Sequence, residues 1–215
     1  MTGFLSTRHT HASLWDRLGA WIYDPFLWLG ERLGMRARRR DLLAAARGRV
    51  LEIGAGTGLN LPHYSRAVEG LVLAEPDAGM AARIDVASAP VPARVVSSPA
   101  EELRFEDASF DTVVSTMVLC TVEDPDRALA EIRRVLRPSG RLLFVEHVRS
   151  DSARLARWQD RLAGPWAGFA SGCRCDRPTL ERIYERFRVE EIERGTWRGM
   201  PALVHPLVVG EAAVA

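Results

Sequence analysis

The apolar run Val50, Leu51, Glu52, Ile53 leads directly into Gly54-Ala55-Gly56-Thr57-Gly58-Leu59-Asn60. Three glycines at alternate positions behind a buried strand leave few folds open. Glycine enters backbone conformations closed to other residues, and without a Cβ it lets the main chain approach a bound group closely. The following strand, L-V-L-A, ends on Glu75-Pro76, and Glu75 stands 17 residues beyond Gly58. A carboxylate at that place accepts hydrogen bonds from both ribose hydroxyls of an adenosine.

Around this turn the chain alternates regularly. Strands are expected at 49–53, 70–74, 93–97, 110–116 and 141–146, with helices at 62–66, 77–87 and 126–136 between them. A helical insert near 151–170 and a helix at 179–186 precede two closing strands, 187–193 and 204–212, the last an antiparallel edge strand. Strands and helices alternating at this spacing predict an α/β fold with a doubly wound, mixed, seven-stranded sheet. Before it, residues 1–12 read as a tail. Leu14, Trp15, Leu18, Trp21, Ile22, Phe26, Leu27, Trp28, Leu29 and Leu33 recur at helical spacing, broken at Asp24-Pro25, and predict two short amphipathic helices. Residues 35–47 form a basic-faced helix ending near Gly48. The expected organisation is an N-terminal helical cap, 1–47, and one α/β domain, 48–215.

Composition closes several alternatives. All 29 basic residues are arginine, so no P-loop lysine, Schiff-base lysine or Tyr-x-x-x-Lys pair is available. Basic and acidic residues nearly cancel, 29 against 28, and bulk charge predicts no nucleic-acid partner. Cys120, Cys173 and Cys175 contain no C-x-x-C pair, so neither a disulfide framework nor a metal site is expected. A reduced, cytoplasmic setting follows. No uncharged apolar stretch reaches the ~18 residues of a spanning helix, and the first residues lack a signal-peptide core.

Two cofactors use a glycine turn followed by an acid: a nicotinamide dinucleotide and S-adenosylmethionine. The dinucleotide pattern G-x-G-x-x-G needs its third glycine where Leu59 stands. The third glycine falls one position early, at Gly58, which favours the methyl donor. E-I-G-A-G-T-G resembles the first motif of the class I methyltransferases, which have a Rossmann-like fold. S-P-A-E-E-L-R-F at 98–105 resembles that family's third-strand motif, with Pro99 in place of the usual aspartate. D-A-S-F-D at 107–111 and L-A-E-I-R-R-V-L-R-P-S-G-R-L at 129–142 continue the resemblance. It implies S-adenosylmethionine as cofactor, with Ala100 and Glu101 along the adenine. The positions assigned to the donor are Glu52, Gly54, Ala55, Gly56, Gly58, Asn60, Glu75, Pro76, Ala100, Glu101 and Thr116.

M-V-L-C-T-V at 117–122, F-V-E-H-V at 144–148 and the Trp166 to Arg177 stretch resemble the animal thiol methyltransferases and their bacterial relatives. They are also similar to bacterial phospholipid and quinone methyltransferases. The resemblance implies a small-molecule or lipid-like acceptor, methylated on a thiol, amine or hydroxyl. Because ligands sit beyond the carboxyl ends of parallel strands, His147 and Glu146 are the candidate bases, and Cys120 is a candidate acceptor-facing residue. His63 and Tyr64 follow the glycine turn and either touch the donor or pack. The Trp-rich segment 14–33 reads as a lid, as an interfacial pair with Arg36, Arg38, Arg39 and Arg40 on lipid phosphates, or as a dimer contact. Peripheral membrane contact through 14–40 therefore stays open. So do three rivals to catalysis with this donor: a nicotinamide oxidoreductase, a non-catalytic donor-binding protein and a membrane-surface protein.

Overall fold

The computed structural model describes residues 24–214. The expected tail and the helix over 13–23 lie outside them. Seven strands form one sheet: β1 (Gly48–Ile53), β2 (Val68–Ala74), β3 (Ala93–Val96), β4 (Phe110–Thr116), β5 (Leu136–His147), β6 (Phe187–Thr196) and β7 (Pro206–Val214). Their order is β3-β2-β1-β4-β5-β7-β6. The first five run parallel, and β7 lies antiparallel to both β5 and β6. The expected mixed, doubly wound sheet is therefore present, with one change of place. The last strand is antiparallel but internal, and β6 takes the edge. Burial explains the exchange. Leu207, Val208 and Ala212 of β7 are buried, whereas the E-E-I-E-R run of β6 is mostly exposed and suits an edge.

Helices cover both faces. On one, Leu129 and Ile132 of α4 (Pro125–Val135) and Ile183 of α6 (Thr179–Arg186) pack on Leu51, Val113 and Phe144. On the other, Leu43, Leu61 and Tyr64 pack on Val50, Leu73 and Leu143. The near-continuous apolar runs of β1, β4 and β5 reflect burial on both faces.

The expected break at Asp24-Pro25 falls at the first described residues, and 24–30 (α1) is helical. A kink lies at Leu33 and Gly34, where Gly34 holds φ +132, and α2 (Arg36–Leu43) follows. α2 stops before the expected end at residue 47. Leu27 and Met35 join a third apolar cluster with Val145, Leu207, Trp197 and Ala163, the last on α5 (Ala153–Phe169).

Two expected helices are much shorter. Over 62–66 there is a single 3-10 turn, Leu61–His63, because Tyr64 turns to extended backbone and sends its hydroxyl inward. Over 77–87 there are α3 (Ala78–Ala81) and a 3-10 turn, Val86–Ser88. Asp77 caps α3 through Met80 N–H at 2.8 Å. Asp85 accepts the Ala87 N–H, a local bond that competes with helix continuation. β5 starts earlier than residue 141. Leu136 pairs with Phe110 and Arg141 with Thr112, so 137–140 bulge from the ladder.

Candidate active site

The carboxyl ends of β1, β2 and β4 open into a cleft of about 840 Å3. Gly54, Gly56, Glu75, Pro76, Ala100 and Glu101 line it, six of the positions the sequence assigned to the donor. Gly54 and Gly56 hold φ +54 and +58, the left-handed region that favours glycine. A Cβ at Gly54 would lie 2.6 Å from Val118 Cγ2. At Gly56 a Cβ would meet nothing within 4 Å, so the backbone borders open space there.

Glu75 is the organising acid of the cleft. Gly56 N–H donates to Oε2 at 2.7 Å, and Asp77 N–H donates to Oε1 at 2.8 Å. One carboxylate thus holds the glycine turn against the end of β2. A carboxylate oxygen has two lone pairs, so each keeps acceptor capacity for a hydroxyl. Burial raises the Glu75 pKa, and the two N–H bonds oppose that rise. The open space at Gly56 and the spare lone pairs of Glu75 fit the ribose of an adenosine donor.

Glu101 is partly committed, since its Oε1 accepts Glu123 N–H at 2.8 Å. Met117, just past β4, faces the cleft with φ +59. Such a conformation in an unbranched residue costs about 1–3 kcal/mol and persists only where the surroundings impose it. Here Met117 N–H donates to Val145 O at 2.8 Å. Met117, Thr121 and Ser171 also line the cleft; they lie within the 117–122 and 166–177 stretches, but the sequence assigns them no site role.

Glu52, Asn60 and Thr116 lie beneath the cleft in a buried network. Tyr64 OH donates to Glu52 Oε2 at 2.6 Å and Asn60 Nδ2 to Oε1 at 3.0 Å. Asn60 Nδ2 also reaches Thr116 Oγ1 at 3.0 Å. Arg39 NH1 donates to Asn60 Oδ1 at 2.9 Å, and Arg39 Nε pairs with Glu31 at 3.0 Å. Burial pushes the Glu52 pKa up to about 7, against the bonds from Tyr64 and Asn60. Tyr64 therefore packs as a donor to Glu52. Ala55 is buried.

Gly58 lines a second hollow of about 790 Å3, between the glycine turn and the N-terminal helices, together with His63, Trp28, Arg36 and Arg40. Burial lowers the His63 pKa, helped by Arg36, Arg39 and Arg40. Asp24 ties the two sides together. It accepts Thr57 Oγ1 at 2.7 Å and pairs with Arg83 at 2.5 Å. The sequence signalled Asp24 only as a helix break.

Beyond β4 and β5 the polar groups face inward. Glu146 is fully buried, and its Oε1 accepts Ser115 Oγ at 2.8 Å, Val118 N–H at 3.0 Å and Leu119 N–H at 3.2 Å. Its Oε2 is buried without a partner, and burial raises its pKa. His147 is 1% exposed, with Nε2 2.9 Å from Cys173 Sγ. Cys120 is buried and its thiol lies 3.5 Å from Met117 O. Glu146, His147 and Cys120 are not among the residues that line the cleft. Cys173 is the more acidic thiol: the Cys120 thiol, His147 and Trp166 pull it well below the usual range. The opposite effect and burial push Cys120 up.

Comparison with known proteins agrees with this geometry. A family model described as a methyltransferase domain matches residues 51–144. The chain is 34% identical to thiol S-methyltransferase TMT1B of Homo sapiens, over 91% of this chain and 89% of that protein. It is 36% identical to a phosphatidylethanolamine N-methyltransferase of Cereibacter sphaeroides, over 60% of this chain and 64% of that one. A Thermotoga maritima S-adenosylmethionine-dependent methyltransferase shares the fold with a TM-score of 0.66 and 20% identity, covering 94% of this chain and 99% of its own. The N-methyltransferase NodS of Bradyrhizobium japonicum, solved with S-adenosyl-L-homocysteine, has a TM-score of 0.61 and 16% identity, covering 83% and 86%. With a relative 34% identical over about nine-tenths of its length, this chain belongs to the S-adenosylmethionine-dependent methyltransferases.

Proposed function

We propose that the chain transfers the methyl group of S-adenosylmethionine to the sulfur of a small apolar thiol. The observation that carries this is the extent of likeness. Similarity to a thiol S-methyltransferase runs over 91% of the chain, against 60% for the phospholipid enzyme. When bound, S-adenosylmethionine supplies an electrophilic methyl on a sulfonium. Glu75 would hold the ribose hydroxyls, Gly54 and Gly56 would leave room for the donor, and Ala100 and Glu101 would border the adenine.

The acceptor chemistry asks little of the chain. A thiol with a pKa of about 8.5 is a few per cent thiolate at pH 7 and is intrinsically nucleophilic. Holding it in line with the methyl and excluding water then supply the rate. Glu146 acts as a positioning residue, because its Oε1 fixes the backbone of Val118 and Leu119 at the cleft wall. The helices over 24–43 act as the cap on that wall.

An activity screen with labelled donor against alkyl and aryl thiols, phenols, quinols and phosphatidylethanolamine tests the reading. Turnover of thiols alone is expected, rising with pH toward the thiol pKa. Transfer to phenols or phosphatidylethanolamine with none to any thiol would overturn it.

A second reading places a lipid-like acceptor at a membrane surface. Trp28, Leu29 and Leu33 are 46–56% exposed, with Arg32 stacked 5.0 Å over the Trp28 ring. Among the described residues no helix is long and apolar enough to cross a membrane. Co-sedimentation with anionic vesicles that disappears on deleting residues 1–34 would support surface binding. Equal sedimentation of the deleted chain would oppose it.

A further inference from the structure

The third apolar cluster encloses three soft, polar groups. Cys120 follows β4, His147 ends β5, and Cys173 follows α5. One ligand atom from each, two sulfurs and an imidazole nitrogen, lies within 4.8 Å of the others. His147 Nε2 and Cys173 Sγ are 2.9 Å apart, and Trp166 Nε1 donates to the same sulfur at 3.2 Å. All three residues are at most 9% exposed, among Leu27, Met35, Val145 and Trp197. His147 Nδ1 is buried with no partner. Methyl transfer as derived above uses none of these three side chains, and polar groups in a dry apolar cluster are costly unless something satisfies them.

We propose that Cys120, His147 and Cys173 form a binding site for a zinc-type divalent cation, with a fourth coordination position left open. Thiolate and imidazole are the donors that a borderline-soft ion such as Zn2+ prefers. Charge selects the ion further. Two thiolates and a neutral imidazole exactly balance a divalent cation, whereas a monovalent Cu+ would leave a net negative charge in the apolar shell.

The spacing is compatible. With Zn–S of about 2.3 Å and Zn–N of about 2.1 Å, a tetrahedral site separates two sulfurs by roughly 3.8 Å and sulfur from nitrogen by roughly 3.6 Å. Both lie inside the 4.8 Å envelope, and His147 must move from Cys173 by about 0.7 Å. The Trp166 N–H already serves as an outer partner that orients the Cys173 sulfur. Among the described residues no fourth His, Cys, Asp or Glu joins the group, so one position takes water or a small thiol. Cys175 is excluded: its sulfur lies 3.7 Å from Gln159 O and is not in the group. Thr121 and Ser171, close in sequence to two of the ligands, line the cleft. The ion would therefore tie the β4 loop, the end of β5 and the loop after α5 together behind the cleft wall. None of this depends on the identity of the methyl acceptor.

The sequence alone argued against a metal because Cys173 and Cys175 offer no partner nearby. The partners come from 26 and 53 residues upstream, His147 and Cys120, and only the fold brings them together.

The test is a titration of the full, reduced, metal-free chain with Co2+, followed by Zn2+. The expected result is a near-ultraviolet thiolate-to-cobalt band with tetrahedral visible bands, saturating at stoichiometric Co2+ and bleached by Zn2+. Cys120→Ser and Cys173→Ser should lose the thiolate band, and Cys175→Ser should keep it. Binding of S-adenosyl-L-homocysteine reports folding in each sample. The proposal is overturned if reduced wild-type chain that binds this product gives no thiolate band. It is equally overturned if the band survives in both Cys120→Ser and Cys173→Ser. The wild-type titration decides even where a variant fails to fold.

Discussion

Glu75 and Glu146 stand at the carboxyl ends of two strands of one sheet, and each carboxylate binds backbone N–H groups. Glu75 borders an open cleft, and each of its oxygens spends one lone pair on the chain. Glu146 is fully buried, with three donors on one oxygen and an unpartnered second oxygen. Glu75 thus keeps acceptor capacity facing the cleft, whereas Glu146 spends its bonded oxygen on fixing the loop after β4. The same residue type borders open space in one place and holds a loop in the other.

The largest expected effect would separate these two roles. Glu146→Ala leaves Ser115 Oγ and the N–H groups of Val118 and Leu119 unsatisfied in the core. The expected cost is about 3 kcal/mol, a fall in Tm on the order of 10 °C. Glu146→Gln keeps an oxygen for those donors and should lose about 1 kcal/mol or less. Thermal melts with parallel turnover check this. Both variants inactive with unchanged Tm would make Glu146 a base and erase the contrast.

Glu52 sharpens it through pH. Its folded pKa of about 7 lies above the ordinary 4.5, so the folded chain binds this proton more tightly than the unfolded chain. The stabilisation is complete below about pH 4.5 and is lost as pH rises through about 7, a change on the order of 3 kcal/mol. Glu52→Gln keeps partners for Tyr64 and Asn60 and should remove that slope. Denaturant melts of both chains at several pH values measure the difference. Identical slopes would show that Glu52 ionises as freely as an exposed carboxylate.

Arg39→Met strands Glu31 and the Asn60 oxygen, and a loss of about 2 kcal/mol is expected by the same melts. No loss would mean that water replaces the guanidinium. The smallest effect is expected at Asp24, whose pair with Arg83 is about 30% exposed. Asp24→Ala should lower stability by about 1 kcal/mol or less and leave product affinity within about threefold. A collapse of affinity would move the latch from the cap into the donor site.

The same contrast explains what the sequence could reveal. Gly54, Gly56 and Glu75 lie within 22 positions and meet through bonds between neighbouring strands, so spacing alone exposes them. β4 and α4 were equally legible, because burial on both faces or on one stripe writes a clear apolar pattern. The helices over 62–66 and 77–87 were overread. Their apolar residues serve packing, while Tyr64 and Asp85 make side-chain bonds that end the helical turn. Met117 and Thr121 on the loop after β4 and Ser171 after α5 lie in stretches the sequence singles out, but only the fold brings the two segments to one cleft. The pairing of His147 with Cys173 was hidden for the same reason.

The central claim is that the cleft at Glu75 holds the methyl donor. Calorimetric titration with S-adenosyl-L-homocysteine and with NADH, on wild type and on Glu75→Ala, tests it most directly. Wild type should bind the homocysteine product and not NADH. Glu75→Ala should lose at least about thirtyfold in affinity, about 2 kcal/mol, while Tm shifts by only a few degrees. Equal affinity in the two chains, or binding of NADH in place of the product, would contradict it.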